Sequence, residues 1–273
     1  MERMLPNRIC PDSNCPNGAI LVVDANSILF LVEGGIRRVR TLYPNLTNVS
    51  RLPHILEELS GYLDTMKGCC SLDGCLHISE PVLGEVSLEN RREIERKGLS
   101  QLRQYSNTQR RQIHRLLQDH FLEPQVTSGD EVRAICSLFS DPAERLLDSD
   151  ASLIVTACHL AANEDPVVVI TSDPDFTTPL NLLVRKGTVT LGGGHSYPTT
   201  RIMGRHYFHF MRCLHDCCNL PSDVYEELGN TYLLSQIRRL PSLRPATARR
   251  VYAEVQETLK IHTTAVQYKC VVA

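Results

Sequence analysis

Two short runs of consecutive apolar residues constrain this chain more than anything else in it: Ala19-Ile-Leu-Val-Val23 and Pro166-Val-Val-Val-Ile170. Neither alternates with polar residues, and both are rich in β-branched side chains. Each stops at acidic, turn-forming residues, Asp24-Ala-Asn-Ser27 in the first case and Thr171-Ser-Asp-Pro-Asp175 in the second. A strand without polar alternation is buried on both faces, and such strands belong to parallel sheets covered by helices. A short strand is expected at Cys75–Ile78 and a third apolar one at Gly187–Leu191, closed by three glycines. Between them lie helical patterns. Leu52, Ile55, Leu56, Leu59 and Leu63 share a face, and residues 90–121 read as polar, basic helix. Ser128 with Glu131 fits a capping box over Val132–Phe139. Ala151–Ala162 follows Ser149 as its expected N-cap, and Thr178–Arg185 completes the set. Alternation of strand and helix predicts an α/β fold, a parallel sheet sandwiched by helices.

Punctuation divides the chain. Residues 1–18 hold Pro6, Pro11, Pro16 and Gly18 and read as an arm. Residues 19–194 form the α/β unit, with a helical insert at about 90–145. The apolar segment Ile28–Val32 is expected to stop at Gly34-Gly35. After 194 the alternation ends, so 195–273 is expected to be a separate, mainly helical region, with a boundary near 194–200.

Composition narrows the class. Apolar residues are 42% and charged residues 22% of 273, ordinary globular usage that excludes a disordered tail, a fibre and a coiled coil. A net charge of -2 excludes a uniformly basic nucleic-acid coat but not a local basic stripe. No run approaches the 18 or so apolar residues of a membrane helix, so no membrane partner is expected. The first residues lack an apolar signal core, so a cytoplasmic setting is expected, with the 11 cysteines as reduced thiols.

In an open parallel sheet, sites form at the carboxyl ends of strands. Asp24 ends the first apolar strand, and Asp173 and Asp175 end the second. Asp150 opens the helix leading into that second strand, and Glu85 follows the short strand at the start of a helix. Taken singly, each has a plain structural reading as a turn or dipole residue. Together they recur at equivalent strand ends. Carboxylates that converge repel one another and bind protons more tightly unless a cation sits among them. A hard divalent ion with oxygen ligands meets that need and can activate water on a phosphodiester.

The motifs resemble those of the PIN domain, a metal-dependent nuclease fold. "LVVDANSIL" around Asp24 is similar to the family's first motif, "ISEPVLGEV" with Glu85 to its second, and "DSDASLIVTACHLA" with Asp150 to its third. "VVVITSDPDFTTPLNLLVRKGTVTLG" resembles the fourth, with Asp173 as its acid and Asp175 accessory. Glu80 competes with Glu85 for the second position. The stretch after Ile170 also resembles NYN domains, while the Asp24 and Asp150 neighbourhoods favour PIN. The resemblance covers roughly residues 19–194. It implies a PIN-like sheet, Mg²⁺ or Mn²⁺ on Asp24, Glu85, Asp150, Asp173 and Asp175, and support from Asn26, Thr171 and Ser172. It implies cleavage of RNA, usually single-stranded, and the family's habit of pairing makes a homo-oligomer an expected partner. The chain is much longer than the small PIN toxins, so a simple toxin role does not follow.

Arg91, Arg92, Arg96, Arg103, Arg110 and Arg111 concentrate positive charge in one stretch, as a phosphate-binding surface would. The same pattern also suits a solvated helix with scattered ion pairs. Tyr207, Phe208 and Phe210, between Arg205 and Arg212, could stack bases but are better read as core. Three Cys/His groupings, Cys10-Cys15, Cys70-Cys75-His77 and Cys213-His215-Cys217-Cys218, lack paired Cys-x2-Cys spacing, so a structural zinc is not favoured.

The leading expectation is a metal-dependent phosphodiesterase, an endoribonuclease. The alternatives are a catalytically silent module of the same fold that binds RNA or a protein, and a DNA nuclease. An Asp-x-Asp phosphotransferase would need a second acid where Asn26 stands.

Overall fold

A computed structural model describes residues 18–86, 94, 99–121, 127–139, 146–163, 165–192 and 194–242, and some positions from 248 to 259. Arg91, Arg92, Arg96 and the Cys10-Cys15 pair lie outside the described residues.

The first strand, β1 (Ala19–Val23), is buried along its whole length. Helices α1 (Ala25–Leu42) and α2 (Asn48–Cys70) carry the chain to β2 (Ser71–His77). A one-and-a-half-turn helix, α3 (Glu80–Glu85), follows. Glu85 therefore closes a helix rather than opening one. The expected long helix over 90–121 is broken where it is described: a 3-10 turn at Leu102–Gln104 precedes α4 (Asn107–His120). Ser106 and Gln109 form a capping box there, which restarts the helix. The expected capping box of Ser128 and Glu131 opens α5 (Gly129–Leu138). Helix α6 (Asp148–Ala161) begins one residue before Ser149, and Leu147 is its N-cap. Ser149 instead offers its carbonyl to Ser152 Oγ at 2.7 Å.

Strand β3 (Val167–Thr171) is buried throughout and pairs parallel with β1, Val23 opposite Ile170. Helix α7 (Pro174–Lys186) leads to β4 (Thr188–Thr190). The sequence suggested that this third strand would join the parallel sheet. It forms a separate two-stranded antiparallel hairpin with β5 (Ser196–Pro198). The place in the main sheet is taken by β6 (Ile202–His206), giving the order β2-β1-β3-β6, all parallel. Helices α8 (Tyr207–Cys218) and α9 (Ser222–Arg239) follow.

The expected boundary at 194–200 does not separate two cores. β6 is hydrogen-bonded to β3, and α9 packs on α1. Tyr207, Phe208, Phe210 and Tyr232 belong to the same buried cluster as β1 and β3. Those aromatics are core, as their pattern suggested. Complete burial of β1 and β3 means that both faces of the sheet are covered. Helix α6 packs against β1, β3 and β6, while α1 and α8 also reach β3.

Gly34 and Gly35 do not stop α1, because their missing side chains let other helices approach. A Cβ on Gly34 would sit 2.5 Å from Leu228 Cδ2, and one on Gly35 would sit 2.8 Å from Leu59 Cδ2. Close packing thus outweighs the roughly 1 kcal/mol helix penalty of each glycine. Gly34→Val is expected to cost about 2 kcal/mol by overpacking the α1–α9 contact. Urea denaturation followed by circular dichroism measures it, and an unchanged midpoint would remove this explanation.

Candidate active site

The sheet order creates the site. From β1 the chain moves outward to β2 and then returns to β3 on the other side of β1. The connections leave β1 and β3 in opposite directions, so a crevice opens beyond their carboxyl ends. Asp24 directly follows β1 and is the N-cap of α1, but its side chain makes no capping bond. It is 5% exposed, and its backbone N–H donates to Ile170 O at 2.9 Å. Thr171, the last residue of β3, donates from Oγ1 to Asp24 Oδ2 at 3.3 Å. Thr171 Oγ1 in turn accepts the Asp173 N–H at 3.0 Å. One hydroxyl thus locks the first and fourth acids into a common frame.

Asp150 enters from the first turn of α6. A buried hydrogen bond of 2.8 Å joins Ser79, the N-cap of α3, to Ser152 on α6, which brings Glu85 and Asp150 into one neighbourhood. The Asp150 carboxyl is pushed up to about 8. Burial is the largest cause, followed by the charges of Asp24, Asp173 and Glu85; a hydrogen bond from the Leu147 backbone acts the other way. The charged groups named among its causes are all carboxylates. Glu85, not Glu80, is the acid of α3 that Asp150 senses, although the Glu85 side chain is exposed.

Among the described residues, no three His, Cys, Asp or Glu side chains stand close enough to form a metal-sized cluster. The four acids are coupled through charge rather than gathered in one shell. The donor set is oxygen only, negatively charged, and backed by hydroxyls. That chemistry fits a hard divalent cation. Asn26 is half-buried in the first turn of α1, and Asp175 lies in the first turn of α7 with its side chain outside the described residues. Ser172 is 1% exposed and its hydroxyl has no hydrogen-bond partner.

The arginines divide. Arg110 is 4% exposed, and its guanidinium donates to Tyr105 O at 2.8 Å and to Asn107 Oδ1. It secures the start of α4 and has little surface left for a phosphate. Arg103 and Arg111 are exposed.

The cysteines correct one expectation. Cys75, Cys136, Cys158, Cys213 and Cys218 are in no disulfide, but Cys217 is disulfide-bonded. His215 bonds Asp216 at 2.8 Å and Ser222 at 3.2 Å through its two ring nitrogens, so the grouping at 213–218 is not poised for zinc. Cys158 is buried and its thiol is pushed up to about 12, which makes it a poor nucleophile.

Sequence reasoning missed Glu33. This carboxylate is 2% exposed on α1 and accepts the Gln101 N–H at 2.7 Å and the Leu102 N–H at 2.9 Å. Burial pushes its carboxyl upward, against those hydrogen bonds. It clamps part of the insert onto the core. No pattern announced it, because its partners are backbone groups 68 and 69 residues away.

Comparison with protein family models, with curated proteins and with solved structures finds no match. No helix among the described residues is long and apolar enough to cross a membrane.

Proposed function

We propose that the carboxylate edge is the active site of a metal-dependent phosphodiesterase of PIN-like type, an endoribonuclease acting on single-stranded RNA. The observation that supports this most is the convergence on Asp150. Burial, joined by the charges of Asp24, Asp173 and Glu85 from three other parts of the chain, raises its carboxyl to about 8. Carboxylates that raise a buried neighbour in this way at the end of a sheet are the pattern of a functional site.

Asp24, Glu85, Asp150 and Asp173 would hold Mg²⁺ or Mn²⁺, with Asp175 beside them. The bound ion would supply Lewis acidity and an activated water for hydrolysis. Thr171 holds Asp24 in one orientation through its donated bond and fixes the Asp173 backbone through its accepted one. Asp150 keeps a proton until a cation displaces it. Asn26 lies at the same edge to orient substrate, and exposed Arg103 and Arg111 supply phosphate contacts outside it.

The test is cleavage of end-labelled single-stranded RNA and DNA by the purified chain with Mn²⁺, with Mg²⁺ and with EDTA. Cleavage of RNA that EDTA abolishes is expected. Preference for DNA would replace the substrate, and metal binding without cleavage of either would favour the silent binding module. No metal binding and no cleavage would overturn the reading.

A further inference from the structure

The far end of α8 holds a group of chemistry-bearing side chains that the carboxylate edge does not use. Helix α8 ends at Cys218, and Asn219 turns the chain through the left-handed region, at φ 58°. Ser222 then opens α9. The turn brings Ser222 back beside the last turn of α8. Ser222 is exposed, and its Oγ lies 3.2 Å from His215 Nε2. The other ring nitrogen, Nδ1, lies 2.8 Å from Asp216 Oδ1. Hydroxyl, imidazole and carboxylate thus stand in series, each on the ring nitrogen that base-assisted attack requires.

The surroundings hold that order. Arg212 Nε donates to Asp216 Oδ2 at 3.3 Å, so both carboxylate oxygens are engaged. The buried Tyr225 ring stacks on the imidazole with centroids 4.9 Å apart. A carboxylate only accepts, so Nδ1 carries the proton of the neutral ring. Nε2 is then an acceptor, and the Ser222 hydroxyl donates to it. A second trio, Ser60, His120 and Asp64, lacks this order. Ser60 Oγ lies 3.2 Å from His120 Nε2, but Lys67 Nζ stands 3.2 Å from Nδ1, nearer than Asp64 at 3.5 Å. An ammonium only donates, so there Nε2 keeps the proton and turns it toward the serine.

We propose that Ser222 is an acylation site, a serine nucleophile that takes an acyl group from an activated ester. Ser222 Oγ attacks the ester carbonyl carbon while His215 Nε2 takes the hydroxyl proton. The bond from that carbon to the leaving oxygen breaks, and the leaving group departs as an alcohol or phenol with the proton from His215. Asp216 positions the ring and stays ionised throughout. At the start of α9 the Asp223 carboxylate accepts its own N–H and the Val224 N–H. Those donors are engaged and give a developing oxyanion little help, so the site selects esters with good leaving groups. Eight residues of α8 separate Tyr207, which follows β6, from His215, roughly 12 Å at helical rise. The acylation site therefore stands apart from the carboxylate edge, and the inference does not rest on the nuclease reading.

The probe is p-nitrophenyl acetate, incubated with the full chain and followed by nitrophenolate release and by peptide mass spectrometry. Acetylation of Ser222 is expected, with Ser60 unmodified. His215→Gln should slow acetylation of Ser222 about 100-fold or more. Asp216→Asn should slow it about ten-fold or more. Nitrogen NMR of the His215 imidazole should show the proton on Nδ1 in the wild type and its partial transfer to Nε2 in Asp216→Asn, a change that a purely structural role would not produce. Asp216 is exposed, so its variant keeps the test decisive should His215→Gln fail to fold. Ser60→Ala should leave the rate at Ser222 unchanged. Acetylated lysines with Ser222 unmodified, an equal rate at Ser222 in both His215→Gln and Asp216→Asn as in the wild type, or a wild-type imidazole protonated on Nε2 alone would each overturn the proposal.

Discussion

Asp150→Asn is expected to lose cleavage by about 100-fold or more, yet to yield a folded chain that is more stable than the wild type in EDTA at pH 8. The two effects have one cause. Asp150 is the group on which the charges of Asp24, Asp173 and Glu85 act, and burial adds to them. An amide of the same shape keeps an oxygen for the Leu147 backbone bond and removes the charge that the others oppose. Linkage gives the sign. The folded value, about 8, lies above the roughly 3.9 of an unfolded Asp. A raised carboxyl favours the fold while protonated, so wild-type stability should fall as pH rises from about 4 through about 8. The variant should lack that slope. The two proteins should match near pH 4 and differ by about 2–3 kcal/mol above pH 8, after discounting for the part of the carboxyl that meets solvent. Saturating Mg²⁺ should reverse the order, because an ion that binds only the folded state stabilises it. Thermal melts at several pH values, with EDTA and with Mg²⁺, measure this. A variant less stable than the wild type in EDTA at pH 8 would mean that these acids do not oppose one another.

The residues that were legible in the sequence share a property: their role is set by neighbours in the chain. β1 and β3 announce themselves because strands buried on both faces must be continuous apolar runs. The capping box of Ser128 and Glu131 is legible because both its bonds close within four residues. Asp24 and Asp173 could be placed at strand ends for the same reason. Whatever depended on distant partners was not legible. β6 reads Ile-Met-Gly-Arg-His, with only Ile202 buried, as suits an edge strand that pairs on one side. Nothing in those five residues distinguishes a strand of this sheet from a loop. Gly34 and Gly35 look like breakers until Leu228 and Leu59 arrive against them. Arg110 looks like one member of a basic stripe until Tyr105 and Asn107 enclose it. Charge coupling among the acids falls between these cases. The residue types and order suggested it, but Glu85 was separable from Glu80 only once α3 was placed against α6.

Glu33→Ala should be the most destabilising of the substitutions considered, although it touches no acid of the candidate site. The carboxylate sits 2% exposed in the middle of α1, whose neighbours are apolar core. It accepts two backbone N–H groups at the start of the 3-10 turn, Gln101 at 2.7 Å and Leu102 at 2.9 Å. Ser100 Oγ lies 3.4 Å from it and itself accepts from Arg238 at 2.7 Å, so α9 is tied into the same cluster. Truncation would leave the buried Leu102 N–H and the half-buried Gln101 N–H without their acceptor, at about 1–3 kcal/mol for the buried one and less for the other. The space left by the side chain would add to that. A total loss of about 3–5 kcal/mol is expected, read by urea denaturation. Hydrogen exchange separates this from a general loss of packing: the Gln101 and Leu102 amides should exchange far faster while those of β1 and β3 stay protected. Glu33→Gln sharpens the argument, since it fills the same volume but turns one acceptor into a donor that faces an N–H. If size alone mattered, Gln would restore stability. The geometry requires instead that Gln lose a substantial part of it, because two donors aimed at one side chain need two acceptor oxygens.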